Sequence, residues 1–483
     1  MSEEKKEEKA ISRRKYLGAV GGLAAAAAVG WGLAGYLASK PPAPAAVKTI
    51  TETKTVAATP MVTTPTTPIP RKAYKGTTIR FITSETVPEH AFEKILPEFE
   101  EETGIKVDYE VYDEVTVREK TLLDFHAHTG KYDVPYLQWW FTPEYAKAGY
   151  IENLDPWIQT KADPEWLNPA DYIPAVLEGM KWNGSVYGLP FWIISCLAYV
   201  NKDIAMKYYG KIPTTLEEII ECAKKCHHPE KGIYGYTGRG NPAFDMYGSV
   251  AGFAWGMGAK LFEENWKPRF TEPDVIKAIG QYVELLKDYG PPGQATITWF
   301  EAEQIFLRGQ VAVYMDTSDY GPDLENPDVS KVVGKVAYIP CPIGPTGKRA
   351  QWFYAEGLAI NKDSKNKEAA WLFIQWRCSK EAFIREMKSE VHRMDFPSMS
   401  LLRSPEYEEI ARKIGLYDYV MGLRKAIEYA EPGFWPFIPE FSKVCETLCI
   451  EVSSAIAGEK SVEEALKEAQ TECEKILKEA GYF

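Results

Sequence analysis

Four runs of this sequence set hydrogen-bonding side chains beside aromatic rings. They are Gln138-Trp139-Trp140, Phe191-Trp192, the stretch Arg239–Tyr247 with Asn241, Phe244 and Asp245 inside it, and the stretch Gln351–Glu356 with Trp352 and Tyr354 inside it. Glu85, Asp316, Asp319 and Tyr320 place further polar groups just after predicted strands, and Trp435 stands in Phe434-Trp435-Pro436. A flat ring covers an apolar C–H face, and a carboxylate, amide or guanidinium beside it binds two neighbouring hydroxyls at once. The chain holds 14 Trp and 28 Tyr, and 13% of it is aromatic. On composition alone, core packing explains that excess. Alternation along each run means that only some of its members face a ligand. Trp371 and Trp376 belong to the core, because they lie on an amphipathic helix.

Other chemistries find less support. Gly344-Pro345-Thr346-Gly347-Lys348-Arg349 lacks the spacing of a phosphate loop and the Ser/Thr after its Lys. There is no Gly-x-Ser-x-Gly and no His-Glu-x-x-His. Cys222/Cys226 and Cys445/Cys449 share the i,i+4 spacing of one helix face, with His227 and His228 next to the first pair, but no second ligand cluster follows. The eight cysteines read as buried or bridged structural residues, not as metal ligands. His126 and His128 read as surface residues of a helix. A net charge of −12 argues against a nucleic-acid partner.

The elements that must position these runs are mixed. Thr78–Thr83 predicts a strand, and Phe92, Ile95, Leu96 and Phe99 recur at helical spacing before Gly104, a natural stop. Ile105–Val111 then alternates as a half-buried strand does. Strand, helix, strand within about 35 residues is a βαβ unit and implies a parallel sheet. Capping pairs at Thr214/Thr215 with Glu217/Glu218, and at Ser461 with Glu464, open later helices. The class is α/β throughout.

The N-terminal part is different. Ser12-Arg13-Arg14-Lys15-Tyr16-Leu17 precedes 23 residues without a charge, Tyr16 to Ala38. A twin-arginine pair before a modestly apolar run resembles the address of the route that exports folded proteins. As a helix this run is long enough to span a bilayer core. Lys40–Arg71 holds nine Thr and seven Pro, too few large apolar side chains to build a core. Residues 1–39 are therefore read as a signal or membrane anchor, and 40–75 as a stalk that holds a body outside the cytoplasm.

Six stretches of the body, in order, resemble extracellular solute-binding proteins of the sugar-binding type (family 1, maltose-binding-protein-like), components of ABC importers. They are Phe99–Val107, Tyr132–Val134 with Tyr145–Leu154, Trp182–Pro190 with Tyr199–Asp203, Gly357–Ser364, Lys367–Ala370 and Ala457–Leu466. The resemblance implies a two-lobed periplasmic-binding-protein-like fold with a hinge and an interlobe cleft. Lobe 1 would be 76–192 with 336–392, and lobe 2 193–335 with 393–483. Crossings are expected near Phe191–Ser195, Gly334–Ile339 and Ser389–Phe396. The polar–aromatic residues named above would line the cleft, with Phe434 and Trp435 at its rim.

The implied function is capture of an oligosaccharide, disaccharide or polyol and its delivery to permease subunits, by a monomer without catalysis, metal or cofactor. A sugar-sensing or adhesive surface domain is the second reading. An extracellular glycan-degrading enzyme is the third, and it needs a carboxylate pair that no loop concentrates beside the aromatic set.

Overall fold

The computed structural model describes residues 67–429 and 435–483. The twin-arginine run, the apolar run, the stalk up to residue 66 and Phe434 lie outside the described residues. Among those described, no helix is long and apolar enough to cross a membrane.

The first βαβ unit folds as its pattern demands. Strand β1 (Thr78–Ser84) leads to helix α1 (Val87–Thr103) and strand β2 (Lys106–Tyr112), and β1 and β2 pair in parallel. Helix α1 buries Phe92, Ile95 and Phe99. It ends at Gly104, whose φ of +73° suits a residue without a Cβ and whose N–H reaches the Glu100 carbonyl. Phe81, Phe92 and Phe99 all pack on Phe373, with ring centroids 5.3–5.7 Å apart.

Helix α2 (Glu114–Ala127) follows, then strands β3 (Val134–Gln138), β4 (Leu189–Ile194), β5 (Cys196–Asn201) and β6 (Tyr234–Thr237). Helix α3 (Tyr247–Gly256) precedes β7 (Val311–Thr317), β8 (Val336–Pro340) and β9 (Tyr354–Leu358). The remaining helices used below are α4 (Lys367–Arg377), α5 (Lys380–Lys388), α6 (Tyr417–Glu428), α7 (Phe441–Ala457) and α8 (Val462–Glu479).

The strands form two main sheets. One has the order β2-β1-β3-β9-β4 and the other β8-β5-β7-β6. Their central strands are buried on both faces, as in α/β layers. Each sheet with its helices is one lobe, so the expected two-lobed α/β fold is the observed one.

The chain passes from the first sheet to the second at Ser195, between β4 and β5. The return comes later than the expected Gly334–Ile339. Val336–Pro340 still pairs antiparallel with β5, and the Cys341 N–H continues that ladder to the Cys196 carbonyl at 3.3 Å. The return therefore lies between β8 and β9, and residues 336–340 belong with the second sheet, not with lobe 1. The sequence shows only an apolar strand there. Its partner is set by tertiary register.

The third passage also comes later than the expected Ser389–Phe396. The Pro397 carbonyl still accepts from the Ile173 N–H, and Ser398 and Ser400 bond Asp171 of the first lobe. The segment before it is pinned by a buried ionic group. Arg393 bonds Glu386, Asp395 and the Phe191 carbonyl, Arg377 bonds Glu386, and Asp395 accepts from Trp192 Nε1 at 2.6 Å. Both arginines and Glu386 are fully buried, so every charge needs its partner. The group ties the 389–396 segment to β4. Beyond it, α6 packs on β8 and β5 of the second sheet.

The stalk reading ends too late. Composition gave 40–75 to the stalk, yet from Thr67 onward the chain is fastened to the first lobe. Arg71 reaches Glu102, Asp163 and Glu165 at 2.6–2.8 Å and lies over the Trp166 ring. The Thr67 N–H bonds the Thr160 carbonyl. One arginine in a Thr/Pro-rich tract carries this contact, and a composition count cannot register it.

All eight cysteines are free and buried. The two sulfurs of Cys222 and Cys226 lie 3.7 Å apart. Among the described residues no cluster of three or more His, Cys, Asp or Glu is arranged to hold a metal.

Candidate functional site

Strand β3 ends in a tight turn, Trp139–Phe141, which sends its two tryptophans in different directions. Trp139 packs edge-on to Phe353, and an added Cβ on Gly179 would collide with its ring. Trp140 points to the space between the lobes. There it stacks on Trp435, with centroids 5.1 Å apart and planes 13° from parallel, and meets Tyr354 edge-on at 4.7 Å. Tyr247 and Phe244 close the ring set around Trp435 and Trp140.

A small cavity is lined by Glu114, Trp140, Arg239, Phe244, Asp245, Gly248, Ser249, Trp352, Tyr354 and Trp435. Glu114, Trp140 and Tyr354 come from the first-sheet lobe. Arg239, Phe244 and Asp245 come from the loop after β6 in the second. The centre of a water-sized sphere can occupy only about 10 Å³ of it, whereas small-molecule sites are ~300–1,000 Å³. A ring sandwiched between two indoles makes two contacts of ~3.5–4.0 Å each, so the indoles must stand about 7–8 Å apart. A ligand has to part Trp140 from Trp435.

Local rules place each wall. Asp113 caps α2 through the Thr116 N–H at 3.0 Å, which fixes Glu114 at the helix start. On α3, Gly248, Gly252 and Gly256 form a stripe at i,i+4 spacing. A Cβ on Gly252 would lie 2.3 Å from the Gln351 carbonyl oxygen. The missing side chains let the Ala350–Trp352 segment lie against the helix and bring Trp352 to the cavity.

Arg239 is the organising cation of the second lobe. Its Nε reaches both Asp316 oxygens at 3.0–3.1 Å, its Nη2 reaches Asp316 at 2.7 Å, and its Nη1 bonds the Asp245 carbonyl at 3.2 Å. Asn241 donates to Asp245 at 2.9 Å, and the Tyr320 hydroxyl donates to Asp316 at 3.4 Å. On the first-lobe side, Gln138 donates to the fully buried Glu356 at 3.4 Å. Glu356 Oε2, Trp140 Nε1 and Asn241 Oδ1 are buried and have no partner among the described residues. Buried polar atoms ordinarily find partners, and a polyhydroxyl ligand supplies both donors and acceptors.

Burial raises the carboxyls here. Glu114 is pushed up to about 7 by burial and then by Asp245. Asp319 is also pushed up to about 7, mainly by burial, against the pull of a Thr317 hydrogen bond. Burial raises Asp245 despite Arg239, and it raises Glu356 well above the carboxylate range with help from Glu114 and Glu89.

These shifts set a sign. A carboxyl raised in the folded state holds its proton more tightly there than in the unfolded chain. Its stabilising contribution is fully present below the ordinary value of 4.5 for Glu114 and is lost as pH rises to about 7. Urea unfolding of the ligand-free protein at pH 5, 6, 7 and 8 should show stability falling over that window. Glu114→Gln should remove close to one proton from the slope, and an unchanged slope would refute the assignment.

The structure thus brings Trp140, Arg239, Phe244, Asp245, Trp352, Tyr354 and Trp435 to one cavity. Gln138, Asn241, Tyr247, Asp316, Tyr320 and Glu356 support it, and Asp319 acts on Glu114 through charge. Glu85 is exposed after β1. Trp139 packs into the first lobe, Trp192 is bonded to Asp395, and Phe191 lies under the Arg377 guanidinium. Sequence reasoning missed Glu114, Gly248 and Ser249. An acidic residue at a helix start is ordinary, so Glu114 carried no signal. The Gly spacing on α3 was a signal for close approach.

Two sheets linked by three passages, with a polar–aromatic cavity fed by both, define a two-lobed ligand-binding protein. The model for the bacterial extracellular solute-binding protein family matches residues 83–382, and the chain belongs to that family. A solute-binding protein of an ABC transporter from Agrobacterium radiobacter, solved with ribitol, is 28% identical with a TM-score of 0.76, covering 83% of this chain and 99% of that one. One from Agrobacterium vitis, with bound D-mannitol, is 28% identical with a TM-score of 0.74, covering 84% and 99%. The mannitol-binding protein of Pseudomonas aeruginosa is 26% identical over 401 residues, covering 79% of this chain and 89% of the relative.

Proposed function

We propose that this chain is the solute-binding protein of an ABC importer, that it captures a small carbohydrate or polyol between its lobes, and that it hands the ligand unaltered to a permease. The observation that carries the reading is the meeting of Trp140 and Trp435 across the lobes, beside Arg239 and its carboxylates. Two flat apolar faces and a fixed polar set are what a polyhydroxyl ligand needs. Closure favours the bound state because both lobes touch the ligand only when shut. Relatives solved with ribitol and D-mannitol support the ligand class.

In the same reading, residues 1–39 export or anchor the chain through the twin-arginine route, and the Thr/Pro tract tethers a body that starts at Thr67. Lobe 1 is the first-sheet half, lobe 2 the second-sheet half.

A thermal-shift panel of ribitol, mannitol, sorbitol, glucose and maltose on the full chain tests the function. A ligand at 100 times its Kd adds about 2.7 kcal/mol to the folded state, so at least one should raise the melting temperature and be recovered chemically intact. No shift with any polyol or sugar, or turnover of the ligand, contradicts the proposal.

A further inference from the structure

The charge inventory of the cavity points beyond carbohydrate in general. Among the described residues that line it there is one cation, Arg239, and its guanidinium is already committed to Asp316 and to the Asp245 carbonyl. Two carboxyls line the cavity, Glu114 and Asp245. Glu356 lies behind Gln138, with Oε2 buried and unpartnered.

Glu356 stands two residues beyond the cavity-lining Tyr354 on β9, so both side chains leave the same face of the sheet. It is register partner to Gln138. Glu114 and Glu356 act on one another through charge, and Glu114 does so with Asp245 and Asp319. The acidic groups therefore form one connected set reaching from the aromatic box into the first lobe.

An ionised carboxylate only accepts hydrogen bonds. The cavity offers Trp140 Nε1 and Ser249 Oγ as unpartnered neutral donors, but its one cation is committed to Asp316. A ligand hydroxyl or ammonium satisfies the carboxylates. A ligand carboxylate or phosphate adds a further acceptor and a like charge, with no free cation to meet it.

We propose that this site, if the function above holds, admits neutral and amine-bearing polyhydroxyl ligands and rejects anionic ones such as aldonic acids, uronic acids and sugar phosphates, with Glu114 as a specificity-determining residue. The selection is by charge complementarity and not by shape, because ligands of the same carbon skeleton are separated by one end group.

Two matched sets of probes test this by titration calorimetry on the full chain: sorbitol, glucamine and gluconate, and glucose, glucosamine and glucuronate. The titrations are run at pH 8, above the value of about 7 to which Glu114 and Asp319 are raised. In the set whose neutral member binds, the amine should bind at least as tightly as the neutral form, and the acid at least 100-fold more weakly. Glu114→Gln, checked for folding by circular dichroism, should narrow the gap between neutral and acid at least fivefold. Glu356→Gln, at a carboxyl that burial raises well above the carboxylate range, should leave the gap within twofold.

An acid that binds within threefold of its neutral partner overturns the proposal. So does a gap that Glu114→Gln leaves unchanged. If an acid binds and its neutral partner does not, the charge argument is wrong while carbohydrate capture survives. If no member of either set binds and the thermal-shift panel is also silent, the functional reading falls and takes this one with it.

Discussion

Replacing Arg239 with methionine should destabilise the ligand-free protein by about 3–5 kcal/mol, the usual cost of leaving a buried charge without its partner. Asp316 is fully buried and receives three guanidinium contacts within 3.1 Å. Without them its carboxylate must stay charged in a poor solvent or take up a proton. Asp245 also loses its nearest cation, 3.6 Å away. Ligand binding should disappear in the same variant, because the loop that carries Asn241, Phe244 and Asp245 is organised around this guanidinium.

A second substitution separates the two losses. Arg239→Met with Asp316→Leu removes both charges and should recover much of the stability, since a buried ion pair replaced by apolar groups of similar size is often neutral or better. Binding should remain lost. Urea unfolding and calorimetry measure the two quantities. Recovery of binding together with stability would show that Arg239 serves the fold alone.

Trp140→Leu should weaken ligand binding on the order of 100-fold. Trp140 is the first-lobe half of the stacked indole pair and touches Tyr354, Phe244 and Phe441 as well. Leucine keeps an apolar side chain in the contact but offers no flat face to a C–H surface. Central buried aromatics of this kind carry about 2–4 kcal/mol of binding energy. Trp192→Leu serves as the contrast. Trp192 donates to Asp395 in the hinge group, so its loss should lower stability, with binding weakened less than in Trp140→Leu. Equal loss of binding in both would move the ligand toward β4.

Much of this was legible in the chain. Phe92, Ile95 and Phe99 gave α1 by their spacing, Gly104 gave its end, and the Ser461/Glu464 pair gave the start of α8 as a capping box. The site runs around Trp140, Arg239 and Trp352 were visible because polar groups and rings recur together. What remained hidden depends on long-range register and on single contacts. Trp139 and Trp140 are neighbours of one type, and only the turn after β3 separates a core ring from a cavity ring. Val336–Pro340 reads as a strand in either lobe until β5 claims it. Arg71 looks like part of a stalk until Glu102 and Asp163 meet it. Glu114 became a site residue only because Asp113 caps its helix against the far lobe's Asp245.

The most direct measurement is a structure of the full chain saturated with the carbohydrate that most raises its melting temperature. The ligand should lie between Trp140 and Trp435, now parted, with hydroxyls bonded to the Arg239–Asp245 side and to Glu114 or Glu356, so that both lobes hold it. A ligand held by one lobe only, or seated away from this indole pair, would contradict the account.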